Sequence, residues 1–167
     1  ITQENVIRNK LEIDEGDPFN ELLNAKSLNN LKSLNIFKNV KSEVVDGDAF
    51  KTKVINIEVE EKPTGEISLG AGVGSEGGTV GFSVSENNFM GKGVKLNSNL
   101  RVDDTSIRGG FTINNPNFNY SNKSLITTVE STKIDKLKDN GDETTKTGFS
   151  YGTRFERYEN TLISPSL

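Results

Sequence analysis

The run Gly72-Val73-Gly74-Ser75-Glu76-Gly77 satisfies G-x-G-x-x-G, the spacing with which a backbone cradles a pyrophosphate. That chemistry needs the third glycine to open a helix whose N-terminus faces the anion. Thr79 to Ser85 instead alternates with period 2, so a strand follows and the nucleotide reading fails. Asp135 to Glu143 is acidic enough to suggest a calcium loop, but with Gly141 as the loop glycine Lys136 and Lys138 occupy the expected carboxylate positions. A solvated loop is the better reading. Asp103-Asp104 has no visible partner for acid-base work and reads as a solubilising turn. The chain has no Cys and no His, which removes disulfides, Cys/His zinc sites and histidine-based triads. No cofactor or metal is expected, and no enzymatic activity. What remains is a set of arginines, Arg101, Arg108 and Arg154, on faces they share with Gly and Ser. Such a face fits the wet side of a soluble sheet, and the small company of the arginines favours the polar lumen of a barrel.

The elements that must carry these residues alternate with period 2. Ile67, Leu69, Ala71 and Val73 point one way and Ser68, Gly70, Gly72 and Gly74 the other, because successive side chains of a strand lie on opposite faces. The next segment repeats this, with Val80, Phe82 and Val84 against Gly81, Ser83 and Ser85. Val94 to Val102 sets Leu96 and Leu100 against Asn97, Asn99 and Arg101. Ser106 to Asn114 sets Ile107, Phe111 and Ile113 against Arg108, Gly110 and Thr112. Ser124 to Thr132 is weaker, and Thr145 to Glu156 sets Phe149, Tyr151 and Phe155 against Ser150, Gly152, Arg154 and Glu156. The pattern predicts six strands. Charged loops at Ser75 to Gly78, Asp103 to Thr105 and Lys133 to Thr144 alternate with aromatic-bearing turns, ENNFMGKG and NNPNFNYSNK. An apolar face with no partner layer can be turned to lipid, with Leu69, Val80, Phe82, Val84, Leu96, Leu100, Phe111, Phe149, Tyr151 and Phe155 facing outward.

Composition agrees with strands rather than helices as the crossing elements. Hydrophobic residues make up 32% of the chain and mean hydropathy is -0.54, with no run near the roughly 18 apolar residues of a spanning helix. A barrel strand needs only about 9 to 11 alternating residues. The net charge of -4 offers no general attraction to nucleic acid. There is no signal-peptide pattern, and Ile1 does not look like a natural start, so a fragment is expected.

Before Pro63 the grammar differs. Thr2 is placed to cap a first helix, with Val6, Ile7 and Leu11 at helical spacing until Gly16-Asp17-Pro18. From about Asn20 a second helix carries Leu23, Ala25, Leu28, Leu31 and Leu34. Strands follow at Val40 to Asp46 and Lys53 to Glu61, with Gly47-Asp48 between them. The segment Val40, Lys41, Ser42, Glu43, Val44 and Val45 is a candidate edge for pairing with an incoming extended chain. Lys41 and Glu43 equally suit an ordinary edge protected by charge.

In order and spacing, VIRNKLEIDEGDPFN, LNNLKSLNIFKNV, VINIEVEEKPTGEISLGAGVGSEGG, SENNFMGKG and INNPNFNYSNKSL resemble the BamA family of outer-membrane β-barrel assembly factors. The resemblance runs through nearly the whole chain. It implies an α+β POTRA domain at 1–62, incomplete without its first strand, then a linker at 63–65. Residues 66–167 would form the N-terminal part of an antiparallel transmembrane β-barrel, a partial barrel of about six strands. It further implies outer-membrane localisation, with the POTRA part in the periplasm. The expected partners are unfolded β-barrel substrates, periplasmic lipoproteins of the assembly machine and outer-membrane lipid. The strand Glu66, Ile67, Ser68, Leu69, Gly70, Ala71, Gly72, Val73 and Gly74 would be the lateral-gate strand that templates substrate strands. Arg8 and Glu15 match positions associated with docking a lipoprotein, although Asn9 and Lys10 depart from the charge pattern of that helix. A polypeptide-secreting transporter of the same superfamily is an alternative, as is a soluble POTRA-like binding module followed by a β-sandwich.

Overall fold

A computed structural model describes residues 1–74, 77–121, 123–135, 143–158 and 161–167. The Asp135 to Glu143 loop and the Ser75-Glu76 part of the glycine motif therefore lie largely outside the described residues. The chain divides into two compact units. One comprises Ile1–Thr64 together with Met90–Gly93, the other Gly65–Phe89 and Val94–Leu167.

The first unit holds α1 (Glu4–Arg8), α2 (Glu21–Ser33), β1 (Phe37–Asp46) and β2 (Lys53–Glu61). Asn20 caps α2, its side-chain oxygen accepting from the Leu22 and Leu23 N–H groups at 2.9 and 3.3 Å. The helix ends where Asn35 takes φ 58°, a left-handed conformation that Asn tolerates well. β1 and β2 pair antiparallel from Asp46↔Lys53 to Phe37↔Glu61, with an irregularity between Phe37 and Asn39. The core is Leu31, Ile36, Phe37 and Val40, with Val6, Ile7, Leu28 and Val59 among the residues packed against it.

Several sequence expectations for this unit are corrected. The first helix is only Glu4–Arg8, since Lys10 N–H turns back to Ile7 O and Leu11 N–H to Arg8 O, tightening the chain out of the α register. Gln3 rather than Thr2 stands at its N-cap, with no side-chain cap bond. Thr2 is buried and its backbone N–H donates to the Glu61 carboxylate. On α2, Leu23 and Ala25 are exposed, and the buried residues are Ser27 and Leu31. Ser27 is acceptable there because its hydroxyl donates to Leu23 O at 2.9 Å and accepts Glu12 N–H at 2.8 Å.

Met90–Gly93 is a tight turn with Met90, Gly91 and Gly93 all at positive φ. Gly91 is at φ +71°, its carbonyl accepts Gln3 N–H at 2.8 Å, and a Cβ there would lie 2.1 Å from the Ile1 carbonyl oxygen. Both conformation and space demand glycine at that point.

The second unit is one antiparallel sheet of seven strands in sequence order. They are β3 (Gly65–Gly74), β4 (Gly77–Phe89), β5 (Val94–Asp103), β6 (Ser106–Asn115), β7 (Ser124–Ile134), β8 (Thr144–Tyr158) and β9 (Thr161–Ile163). Six were expected, and the short β9 lay beyond the last alternating segment. β3 pairs with β4 alone and β9 with β8, so the sheet is open at both ends among the described residues. None of the described helices is long and apolar enough to cross a membrane.

Candidate functional site

Register decides which side chains of the second unit meet. The β3–β4 pairing runs without a break from Gly65↔Glu86 to Gly74↔Gly77. Leu69 faces Phe82, Ile67 faces Val84 and Ala71 faces Val80, while Ser68 faces Ser83 and Gly70 faces Gly81. Partners across an antiparallel ladder share a face. Following the ladders onward, Phe82↔Leu100, Val84↔Ser98↔Phe111↔Val129↔Phe149 and Leu96↔Ile113↔Thr127↔Tyr151 put the apolar residues on one side. Phe155 shares their parity on β8. The register thus brings together Leu69, Val80, Phe82, Val84, Leu96, Leu100, Phe111, Phe149, Tyr151 and Phe155. Among the described residues of the unit no layer covers this face, and Leu69 is 78% and Phe149 67% exposed.

The opposite side carries the arginines. Arg101 pairs directly with Arg108, and Arg154 stands further along, opposite Ser124. Arg154 Nε donates to Ser164 Oγ at 3.1 Å and Arg108 Nε to Ser106 Oγ at 3.2 Å. A cation missed in the sequence, Lys146, lies on the same side. It precedes Gly148, Ser150 and Gly152 at even spacing, and parity alone would have found it.

β3 itself is exposed along its whole length. At Gly70, Gly72 and Gly74 an added Cβ would meet nothing within 4 Å, and none of the three has positive φ. Space does not require glycine there, and its effect is to leave the strand with little side-chain packing. The phosphate-cradle reading ends here as well, since Gly77 begins β4 rather than a helix. Among the described residues no group of three or more Asp or Glu side chains is arranged to hold a metal ion.

In the first unit, Arg8 and Glu15 meet each other. Arg8 Nη1 lies 3.0 Å from Glu15 Oε1, and Arg8 Nε lies 2.6 Å from Glu4 Oε1 one helical turn back. These bonds, that to Glu4 foremost, hold the guanidinium above its ordinary pKa. β1 is hydrogen-bonded along one edge to β2. Lys41, Glu43 and Val45 are exposed, while Val40 is buried and Ser42 meets Asn24 of α2 at 3.2 Å.

No protein-family model matches the chain. Among curated proteins it is 30% identical over 128 residues to the outer membrane protein assembly factor BamA of Buchnera aphidicola subsp. Acyrthosiphon pisum (strain APS), covering 75% of this chain and 21% of that protein. It is 33% identical over 98 residues to BamA of Neorickettsia risticii (strain Illinois), covering 57% and 13%. It is 31% identical over 119 residues to a putative outer membrane protein assembly factor of Treponema pallidum (strain Nichols), covering 66% and 14%. The chain thus spans at most about a fifth of the length of these relatives. Among solved structures, the crystal structure of BamA from Haemophilus ducreyi lacking POTRA domains 1-3 shares the fold. The TM-score is 0.83 at 19% identity, over 99% of this chain and 32% of that one.

Proposed function

From the membership of this chain in the BamA family of outer-membrane protein assembly factors we infer that it contributes the first strands of a membrane barrel, with β3 as the strand that receives substrate. The protein belongs to the outer membrane. In this reading residues 1–62 form a periplasmic POTRA domain and 66–167 the start of a transmembrane barrel, with the apolar face against lipid and the arginine face inward. The reaction changes no covalent bond. An arriving strand in lipid carries unpaired N–H and C=O groups at several kcal/mol each, and pairing with a free edge removes that cost. The β1 edge would accept extended substrate in the same way before it reaches the membrane, and Arg8 with Glu15 would dock a periplasmic lipoprotein.

The observation that carries the gate reading is the pairing of β3 on one side only, with glycine at 70, 72 and 74 where a side chain would fit. Such a strand separates from a neighbour at low cost. Residues 1–167 contain no cysteine, so within this segment a disulfide test introduces the sole thiol. Ser68→Cys in the full-length protein should cross-link to a cysteine in the terminal strand of a stalled substrate barrel. Cross-linking from Ser68→Cys no greater than from an exposed site such as Asp48→Cys would sink the gate assignment. Gly70→Val with Gly72→Val should fold without clash and slow substrate assembly, because the added β-branched side chains strengthen pairing.

A further inference from the structure

The cross-strand row through Gly70 continues Gly70↔Gly81↔Arg101↔Arg108↔Thr132↔Lys146. Three cations stand in one row on one face. Neighbouring strands lie about 4.8 Å apart, and like charges placed directly opposite destabilise a sheet unless an anion sits between them. We propose that Arg101 and Arg108 clamp a carboxylate of an extended acidic polypeptide segment lying across this face, with Lys146 engaging a second acidic side chain of the same segment.

Among the described residues no carboxylate forms an ion pair with Arg101 or Arg108. Asp103 is engaged in its own turn, accepting from Thr105 N–H at 3.1 Å, Thr105 Oγ1 at 3.2 Å and Ser106 Oγ at 2.7 Å. Glu130 belongs to the adjoining row, paired with Gly110 and Gly148. Among the described residues it forms no ion pair with Arg101, Arg108 or Lys146. Ser106 also accepts Arg108 Nε, so Asp103 and Ser106 fix the stem of that guanidinium, and among the described residues no side chain pairs with its terminal nitrogens. Arg101 borders a shallow depression floored by Gly70, Gly72, Gly74 and Gly81, where a chain can lie close to the backbone.

The occupant's chemistry follows from the donors. Guanidinium forks match a planar carboxylate bidentately. The next row, Ser68↔Ser83↔Asn99↔Gly110, offers hydroxyl and amide groups to a peptide backbone and no apolar side chain to hold an acyl chain. An acidic polypeptide therefore fits better than an anionic lipid. The proposal rests on the register and not on the gate role of β3, so it can stand or fall separately.

The test uses the full-length protein in nanodiscs and a fluorescent extended peptide of alternating Asp and Thr, compared with its Asn-Thr counterpart by anisotropy. The acidic peptide should bind at least about tenfold tighter, the equivalent of about 1.4 kcal/mol. Arg101→Gln with Arg108→Gln should erase that preference, with heat-modifiable gel mobility reporting that the barrel still folds. Arg101→Lys with Arg108→Lys keeps the charge and loses the fork, and should retain only part of the preference. Equal binding of the two peptides by the parent protein would overturn the proposal. So would full preference in the Gln variant, or a loss in that variant of binding to anionic-lipid vesicles with peptide binding untouched.

Discussion

Arg8 Nη1 and Glu15 Oε1 lie 3.0 Å apart, so the two charges singled out for partner docking are each other's partner. Both are exposed, and an exposed pair adds little to stability. The pair instead presents a fixed charge pattern, with Glu4 closing the other edge of the guanidinium at 2.6 Å. If this pattern docks a lipoprotein, Glu15→Lys abolishes co-purification from the full-length protein. The exchange Arg8→Glu with Glu15→Lys restores the internal pair but not the docking. Recovery of co-purification in the exchanged variant would reduce the pair to a local structural contact.

Leu31 is fully buried against Ile36, Phe37 and Val40, the core that fastens α2 to β1. Leu31→Ala should cost about 2 to 5 kcal/mol, the range for emptying a packed leucine site. Leu22, on the same helix but 80% exposed, should tolerate alanine with less than about 0.5 kcal/mol. Limited proteolysis of the full-length protein across a urea series checks both. Cleavage within 1–64 should move to lower urea for Leu31→Ala alone.

What could be read from the sequence was whatever obeys a strict local period. The faces of β3 to β6 and of β8 follow from parity, because a two-residue repeat fixes a face without knowledge of neighbours, whereas Ser124 to Thr132 alternates too weakly to assign one. That Arg101 stands opposite Arg108 did not follow, since it depends on the length of the Asp103 to Thr105 turn and on the register it imposes. Ser27 was missed as a core residue because its burial depends on Glu12 N–H, fifteen positions away in sequence. The spacing of Val6, Ile7 and Leu11 suggests a helix that runs until Gly16-Asp17-Pro18, yet Leu11 packs its apolar side chain on the core from a tightened turn and not from a helix. Nor could composition show that Met90–Gly93, flanked by strands of the sheet, belongs with the first unit.

Glu61 should titrate below the ordinary glutamate value of 4.5. The first cause is the backbone N–H of Thr2, which donates to the charged carboxylate and favours it. A depressed folded-state pKa stabilises the fold above the unfolded value, and that stabilisation is lost as pH falls through the folded value. Carbon-13 titration of the labelled carboxyl should show the low midpoint, and Thr2→Pro, which removes the donor, should raise it. Glu61→Gln should remove this part of the acid-side loss of stability. An unshifted midpoint in the parent protein would contradict the contact.

Leu69 and Phe82 are direct cross-strand partners on the apolar face, at 78% and 44% exposure. If that face meets hydrocarbon, arginine at either position is desolvated near the middle of a strand. The expected penalty is about 2 to 4 kcal/mol at the bilayer midplane, falling toward the interfaces. Ser83 neighbours Phe82 in sequence and points to the opposite side, opposite Ser68 and Asn99. Ser83→Arg places the same charge in the same strand at the same depth, but on the polar face. Urea-dependent folding of the full-length protein into vesicles should therefore show Leu69→Arg and Phe82→Arg strongly destabilised and Ser83→Arg close to the parent. A soluble β-sandwich would also resist charge on its apolar face, so the vesicle thickness is varied as well. Thicker bilayers should deepen the penalty at Phe82 and leave Ser83→Arg unchanged, whereas penalties independent of lipid would place the apolar face against protein.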